Sequence, residues 1–126
     1  MENGCDKGFY IAPTIFLNPP ADSPIVQEEI FGPVLVVQTF KTEEEAIALA
    51  NGTKFGLCAG LWSTDFNRVM RVSRKLKSGN VWVNHYTGFA PECETGGYKE
   101  SGLDRAAGVD GFIKYTEIKH INMEFG

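Results

Sequence analysis

The chain has 126 residues, with 12 Lys and Arg against 16 Asp and Glu and a formal charge of −4. A hydrophobic share of 43% and an aromatic share of 12% exclude a disordered polymer. Runs such as Pro33-Val34-Leu35-Val36-Val37 fall far short of the roughly 18 apolar residues of a membrane span, and the acidic balance argues against nucleic acid or an anionic membrane as the main partner.

This length suits one ordinary domain or a piece of a larger one, able to bury roughly two-thirds of its unfolded surface. Met1 to Lys7 has neither a basic start nor an apolar stretch, so no secretory signal is expected. Cys5, Cys58 and Cys93 give an odd count without close spacing. Reduced thiols in a cytoplasmic protein are therefore expected rather than a disulfide framework. No Cys-x-x-Cys pair is present and His85 and His120 stand alone, so no metal site is expected. Glycine is frequent, at 14 of 126 residues against a background near 7%, and half of it follows residue 87. That distribution points to shaped loops in the C-terminal part.

In chain order, Gly8 to Phe16 has Ile11 and Ile15 around Pro13 and reads as a strand or edge segment. Val34 to Phe40 is β-branched and mostly apolar, the pattern of a buried strand. Thr42-Glu43-Glu44-Glu45 opens a helix: the Thr42 hydroxyl can accept from the Glu45 amide while the Glu45 carboxylate reaches back. Ala46, Ile47, Leu49 and Ala50 follow, and Asn51-Gly52 predicts a left-handed stop. Leu57 to Trp62 is a short strand. After the cap candidates Ser63-Thr64-Asp65, the residues Phe66, Val69, Met70, Ser73 and Leu76 recur at helical spacing, and Ser78-Gly79 is the expected end. Asn80 to Asn84 is a third strand. Tyr86 to Leu103 reads as loop. Arg105 to Tyr115 reads as a weak helix, because Gly108 and Gly111 lower its propensity. Thr116 to Asn122 reads as a last strand. This is an α/β pattern, strand-helix-strand-helix-strand, and right-handed crossovers would place its strands in one parallel sheet.

Several motifs fail on chemistry. A dinucleotide turn needs glycines where a backbone approaches pyrophosphate, but Phe40 to Glu45 offers no glycine and three carboxylates. Gly97-Tyr98-Lys99-Glu100-Ser101-Gly102 mimics the start of a P-loop, yet Leu103-Asp104 replaces the Lys-Ser/Thr pair that coordinates phosphate. A glycine-shaped surface loop is the commoner meaning. Cys93 could be a nucleophile if His85 deprotonated it, although an idle thiol is the ordinary case. Glu92 and Glu94 could form an acid/base pair, but residues two apart in a loop usually face solvent. Glu28 and Glu29 read, on composition alone, as a solvated strand entrance. Asn51-Gly52-Thr53 matches a glycosylation acceptor that a cytoplasmic chain cannot use. Arg68, Arg71, Arg74, Lys75 and Lys77 could bind an anion, although a solvated basic face is the usual meaning.

Gln27-Glu28-Glu29-Ile30-Phe31-Gly32-Pro33-Val34 resembles the Glu-Glu-Ile-Phe-Gly-Pro signature of the NAD(P)-dependent aldehyde dehydrogenase superfamily. Four further strings support the resemblance in the family's order and spacing: Gly8 to Thr14, Ala50 to Leu57, Ser78 to Asn84, and Gly96-Gly97-Tyr98-Lys99-Glu100-Ser101-Gly102. The resemblance runs from about Gly8 to about Ile121 and covers the C-terminal end of the family. It implies a partial three-layer catalytic domain over residues 1–115, with a parallel β-α-β-α-β core, and a terminal oligomerisation strand and tail over 116–126.

In the family a thiolate attacks the aldehyde, hydride passes to the nicotinamide, and a glutamate-activated water releases the acid. The nucleophile stands in a Gly-Gln-x-Cys context upstream, and no such string occurs here. The general base, the oxyanion-hole asparagine and the nucleotide-binding domain also lie upstream. No catalytic residue is assigned in this chain, and without a nucleophile the covalent intermediate cannot form. The chain alone is expected to be inactive and to hold no cofactor, although the complete family uses NAD or NADP.

By resemblance, Glu29 accepts hydrogen bonds from nicotinamide-ribose hydroxyls and Phe31 walls the nicotinamide ring, on a turn shaped by Gly32 and Pro33. His85 to Thr95 matches the loop lining the aldehyde tunnel, with Phe89 as an apolar contact and Thr95 beside it. Thr116 to Ile121 matches a strand that pairs with another subunit. Two departures stand out. Glu94-Thr95 occupies the place of Pro and an apolar residue, which suggests altered substrate choice or relaxed constraint. Asp104 stands where the family has a glycine.

The expectation is therefore an aldehyde dehydrogenase C-terminal fragment, taking a small-molecule aldehyde only when completed by the missing part. The alternative is a non-catalytic oligomerisation or interaction module derived from the family. Either predicts a homo-oligomer through the uncovered edge at Thr116 to Ile121, with no nucleic acid and no membrane.

Overall fold

In a computed structural model, residues 7–126 are described. The expectation about a secretory signal, and Cys5, lie outside them. The chain forms two compact units, Met1–Lys54 and Phe55–Gly126.

In the first unit, β1 (Thr14–Leu17) pairs in parallel with β2 (Val34–Val37), Thr14 opposite Val34 and Leu17 opposite Val37. The ladder is extended at both ends by Thr14 N–H to Pro33 O at 2.9 Å and Asn18 N–H to Val37 O at 2.7 Å. Asn18 sits at φ 46°, a conformation its short polar side chain tolerates. Its Oδ1 accepts from the Thr39 amide at 2.7 Å and the Thr39 hydroxyl at 3.1 Å, pinning the ends of both strands together. The crossover contains one helical turn, α1 (Pro24–Gln27), with proline at its start, where a missing N–H costs nothing. Then comes α2 (Glu43–Asn51), opened by a complete capping box: Glu45 N–H donates to Thr42 Oγ1 at 3.2 Å, and Glu45 Oε2 accepts from the Thr42 and Lys41 amides. Gln27 Nε2 donates to Ala21 O and Gly52 O, tying α1 to the end of α2. None of the described residues of this unit is buried. Two strands have two faces and no layer to cover them, so Ile15, Leu17 and Leu35 remain exposed.

The second unit is built on a β-α-β crossover. Here β4 (Cys58–Leu61) pairs in parallel with β5 (Asn80–Val83), Cys58 opposite Asn80, and α3 (Phe66–Ser73) connects them. Asp65 caps α3 by accepting the Arg68 amide at 3.0 Å. That hydrogen bond holds the Asp65 carboxyl below its ordinary value. Val72 on α3 and Trp82 on β5 form the small core, 7% and 9% exposed. The short β3 (Phe55–Gly56) pairs antiparallel with β6 (Tyr98–Lys99), and α4 (Gly108–Ile113) follows.

The α/β class with parallel strand pairs is as the sequence predicts, but the ladder order is not one continuous sheet. Among the described residues the strands form the three pairs β1–β2, β3–β6 and β4–β5. Element spacing along a chain specifies crossovers, not which strands become hydrogen-bonded neighbours. Three details also differ. Gly52 stops α2 at φ −77°, an ordinary right-handed turn in place of the left-handed one, with its amide on Leu49 O. The second predicted helix ends at Ser73 rather than near Ser78, and a turn returns Lys75 and Leu76 amides to Val72 O. Residues Thr116 to Asn122 carry no strand, because a strand exists only through a ladder and these residues have none among the described residues. The α1 turn and the two-residue strands β3 and β6 are elements that periodicity could not register.

Candidate functional site

Glu29 and Phe31 lie in the irregular segment between α1 and β2. Local bonds shape it: Gly32 N–H to Ile30 O and Val34 N–H to Gly32 O, both at 2.8 Å. Two residues apart, Glu29 is exposed and Phe31 is 92% exposed. An exposed carboxylate can accept hydrogen bonds from hydroxyls, and an uncovered ring can stack on a flat group.

Phe89 and Thr95 belong to the loop after β5, in the second unit. The loop leaves through Asn84 (φ 57°) and Thr87 (φ 61°). Its root is fixed by a reciprocal pair, Ser63 N–H to Asn84 Oδ1 at 2.9 Å and Asn84 Nδ2 to Ser63 O at 3.0 Å. The Trp82 indole N–H holds its middle through Gly88 O at 2.7 Å. Tyr86 and Phe89 pack edge-on against Trp82, with centroids 5.0 and 5.7 Å away, the arrangement that ring quadrupoles favour. Cys58 Sγ lies 3.6 Å from the Tyr86 hydroxyl, and that contact raises the Tyr86 phenol above its ordinary value.

Thr95 is half-buried. Its hydroxyl donates to Asn80 Oδ1 at 2.9 Å, and its backbone exchanges two hydrogen bonds with Ala106, at 2.9 and 2.7 Å. Glu94 does not merely face solvent: its Oε1 accepts the Val109 amide at 3.2 Å, so it is engaged with the first turn of α4 rather than paired with Glu92. No hydrogen bond joins His85 and Cys93, and Cys93 is exposed, which leaves the nucleophile pairing without geometry. Among the described residues no cluster of three or more His, Cys, Asp or Glu could hold a metal ion. The basic residues Arg71, Arg74 and Lys75 line a shallow surface concavity with Asn67 and Met70.

The glycine-rich segment is a structural clamp. Gly79 packs so closely on the Gly96 carbonyl that a β-carbon there has no room. The Ser101 hydroxyl accepts the Gly56 amide at 2.9 Å. Arg105 donates from Nη1 to Gly97 O at 2.9 Å and lies 5.0 Å over the Tyr98 ring. Asp104 needs no left-handed backbone, since the positive-φ positions nearby are Lys99, Ala107 and Gly108. It forms an ion pair with Lys114, and that contact holds its carboxyl below the usual range. Between this clamp and α4 lies a cleft of about 700 Å³, whose lining includes Leu57, Thr95, Ala106, Phe112 and Tyr115. Sequence reasoning missed this cleft, Asn80 as a hub, and the Glu94 contact; none carries a periodic signal.

Residues 1–121 match the aldehyde dehydrogenase family model. The chain is 48% identical over 115 residues to the betaine aldehyde dehydrogenase of Bacillus subtilis, covering 91% of this chain and 24% of that protein. It is likewise 48% identical over 118 residues to aldehyde dehydrogenase family 2 member C4 of Arabidopsis thaliana, covering 94% and 24%. Among solved structures, the P. syringae indole-3-acetaldehyde dehydrogenase in complex with NAD+ and IAA superposes with a TM-score of 0.81 at 46% identity, over 87% of this chain and 22% of that one. A Burkholderia cenocepacia structure described as a putative aldehyde dehydrogenase gives 0.82 at 41% identity, over 94% and 25%. The chain spans about a quarter of the length of the curated relatives it matches. No helix among the described residues is long and apolar enough to cross a membrane. By the family match, the relatives and the shared fold, this chain belongs to the aldehyde dehydrogenase family.

Proposed function

We propose that the chain is the C-terminal part of an NAD(P)-dependent, cytoplasmic aldehyde dehydrogenase, contributing cofactor and tunnel contacts to a site completed by upstream sequence. The observation that supports this most directly is a match over residues 1–121 to a family with relatives about four times as long as this chain. When bound, the nicotinamide supplies the hydride acceptor. In that setting Glu29 accepts from the ribose hydroxyls, Phe31 walls the ring, and Phe89 and Thr95 contribute to the aldehyde tunnel. Residues 1–115 act as catalytic-domain sequence and 116–126 as the oligomerisation strand and tail. By itself the chain turns over no aldehyde, because the Gly-Gln-x-Cys nucleophile string has no counterpart in its 126 residues.

A second reading, a non-catalytic interaction module, is favoured by one observation: Ile118, Ile121, Met123 and Phe125 at the C-terminal end are all strongly exposed. Both readings predict homo-oligomers. Light scattering showing a monodisperse monomer would count against that association. Aldehyde-dependent NADH formation by the purified chain that persists in Cys58→Ser and Cys93→Ser would overturn the fragment reading, and saturable NAD binding in calorimetry would contradict its dependence on the missing part.

A further inference from the structure

The Glu94-Thr95 pair departs from the Pro-apolar pattern of the family, and a carboxylate in a tunnel invites a simple explanation: it faces a cationic substrate. The hydrogen bonds describe another role. Four of them bind residues 91–95 to residues 106–109: Gly108 N–H to Pro91 O at 3.0 Å, Val109 N–H to Glu94 Oε1 at 3.2 Å, and the reciprocal pair between Thr95 and Ala106. The backbone turns sharply to permit this. Ala107 sits at φ 57°, ψ −174°, a region that an L side chain enters only under strain, and Gly108 follows at φ 57°. Gly108 is favoured there by its angle, and a β-carbon on it would press on the flexible end of the Glu94 side chain. The Thr95 hydroxyl is committed to Asn80, whose Nδ2 in turn reaches the carbonyls of Leu57 and Gly96.

We propose that Glu94 is a positioning residue: it clasps the loop of residues 85–95 to the start of α4 and does not serve as a counter-ion for substrate. This rests on the reading of that loop as tunnel wall only for its consequence in catalysis. The clasp itself is a property of the chain. The consequence is that this departure does not convert the tunnel to one selective for ammonium-bearing aldehydes.

Amide exchange on the full chain reads the clasp. In Glu94→Ala, exchange at Val109 is expected to quicken about fivefold, the scale of one ordinary hydrogen bond. Glu94→Gln keeps an acceptor oxygen and is expected to stay near wild type. Unchanged exchange at Val109 in Glu94→Ala overturns the proposal. If Val72 and Trp82 also lose protection in that variant, Glu94→Gln decides: it keeps the acceptor oxygen, so exchange at Val109 is expected to stay near wild type, and a quickening there equal to that of Glu94→Ala overturns the proposal. In a fusion to the upstream part of a relative, Glu94→Ala should raise KM for a neutral and an ammonium-bearing aldehyde by the same factor, with Gln restoring both. A rise in Glu94→Gln confined to the ammonium-bearing aldehyde would make Glu94 a substrate contact and overturn the assignment. An inactive fusion bears on the dehydrogenase reading alone, and the exchange result still decides the clasp.

Discussion

The two units use hydrogen bonds and burial in different proportions. In the described part of the first, through Lys54, strand ends and helix starts are well capped, by Asn18 and by the Thr42–Glu45 box, yet no residue is buried. In the second, Val72 and Trp82 are buried and the loop after β5 is tied at its root, middle and end. Local capping can define secondary structure without a core, but it cannot cover an apolar face. Glu29 and Phe31 are thus presented on an open surface, whereas Phe89 and Thr95 are held by their own unit. The exposed apolar residues of the first unit, Phe9, Ile11, Leu17 and Phe31 among them, are what a fragment shows when the layer that packs on it is elsewhere.

The sharpest way to break this contrast is Trp82→Ala. It removes the larger core side chain and three contacts to the loop, and is expected to cost about 3 kcal/mol. Urea unfolding followed by far-UV circular dichroism checks it, and a midpoint unchanged from wild type would mean that the second unit has no core of its own. Next in size, Thr42→Ala deletes one side of the capping box at α2, with an expected loss of about 1 kcal/mol read as reduced helicity. A larger loss than that from Trp82→Ala would reverse the comparison.

The smallest effect is electrostatic. The folded Asp65 and Asp104 carboxyls lie below their ordinary value of 3.8, held by the Arg68 amide and by Lys114. A depressed folded value stabilises above the unfolded value, and that contribution disappears as pH falls through the folded one. Both groups are exposed, so screening keeps the effect small. The loss of stability between pH 5 and about pH 3 should shrink in the Asp65→Asn, Asp104→Asn double variant, and an equal loss would remove these carboxylates from the account.

Much of the local structure was legible because its signals are local. Thr42 and Glu45 stand at the spacing of a capping box, Asp65 precedes a helical run, and Asn80 to Val83 is a short apolar strand with a glycine before it. The neighbours of each strand were not legible, since pairing order depends on residues far apart in the chain. Thr116 to Asn122 has strand composition but no ladder among the described residues. The site divides the same way. Glu29 and Phe31 are proposed as site residues on a signature string alone, whereas Glu94 reads as a solvated loop carboxylate until Ala107 and Gly108 turn the Val109 amide towards it.

Completion is the measurement that tests the central claim most directly. The chain would be assayed for aldehyde-dependent NAD+ reduction alone, and again fused behind the upstream three-quarters of the Bacillus subtilis relative, to which it is 48% identical. The account predicts no turnover by the chain alone, turnover by the fusion, and a raised KM for NAD+ in the fusion carrying Glu29→Ala. NADH formation by the isolated 126 residues would contradict it.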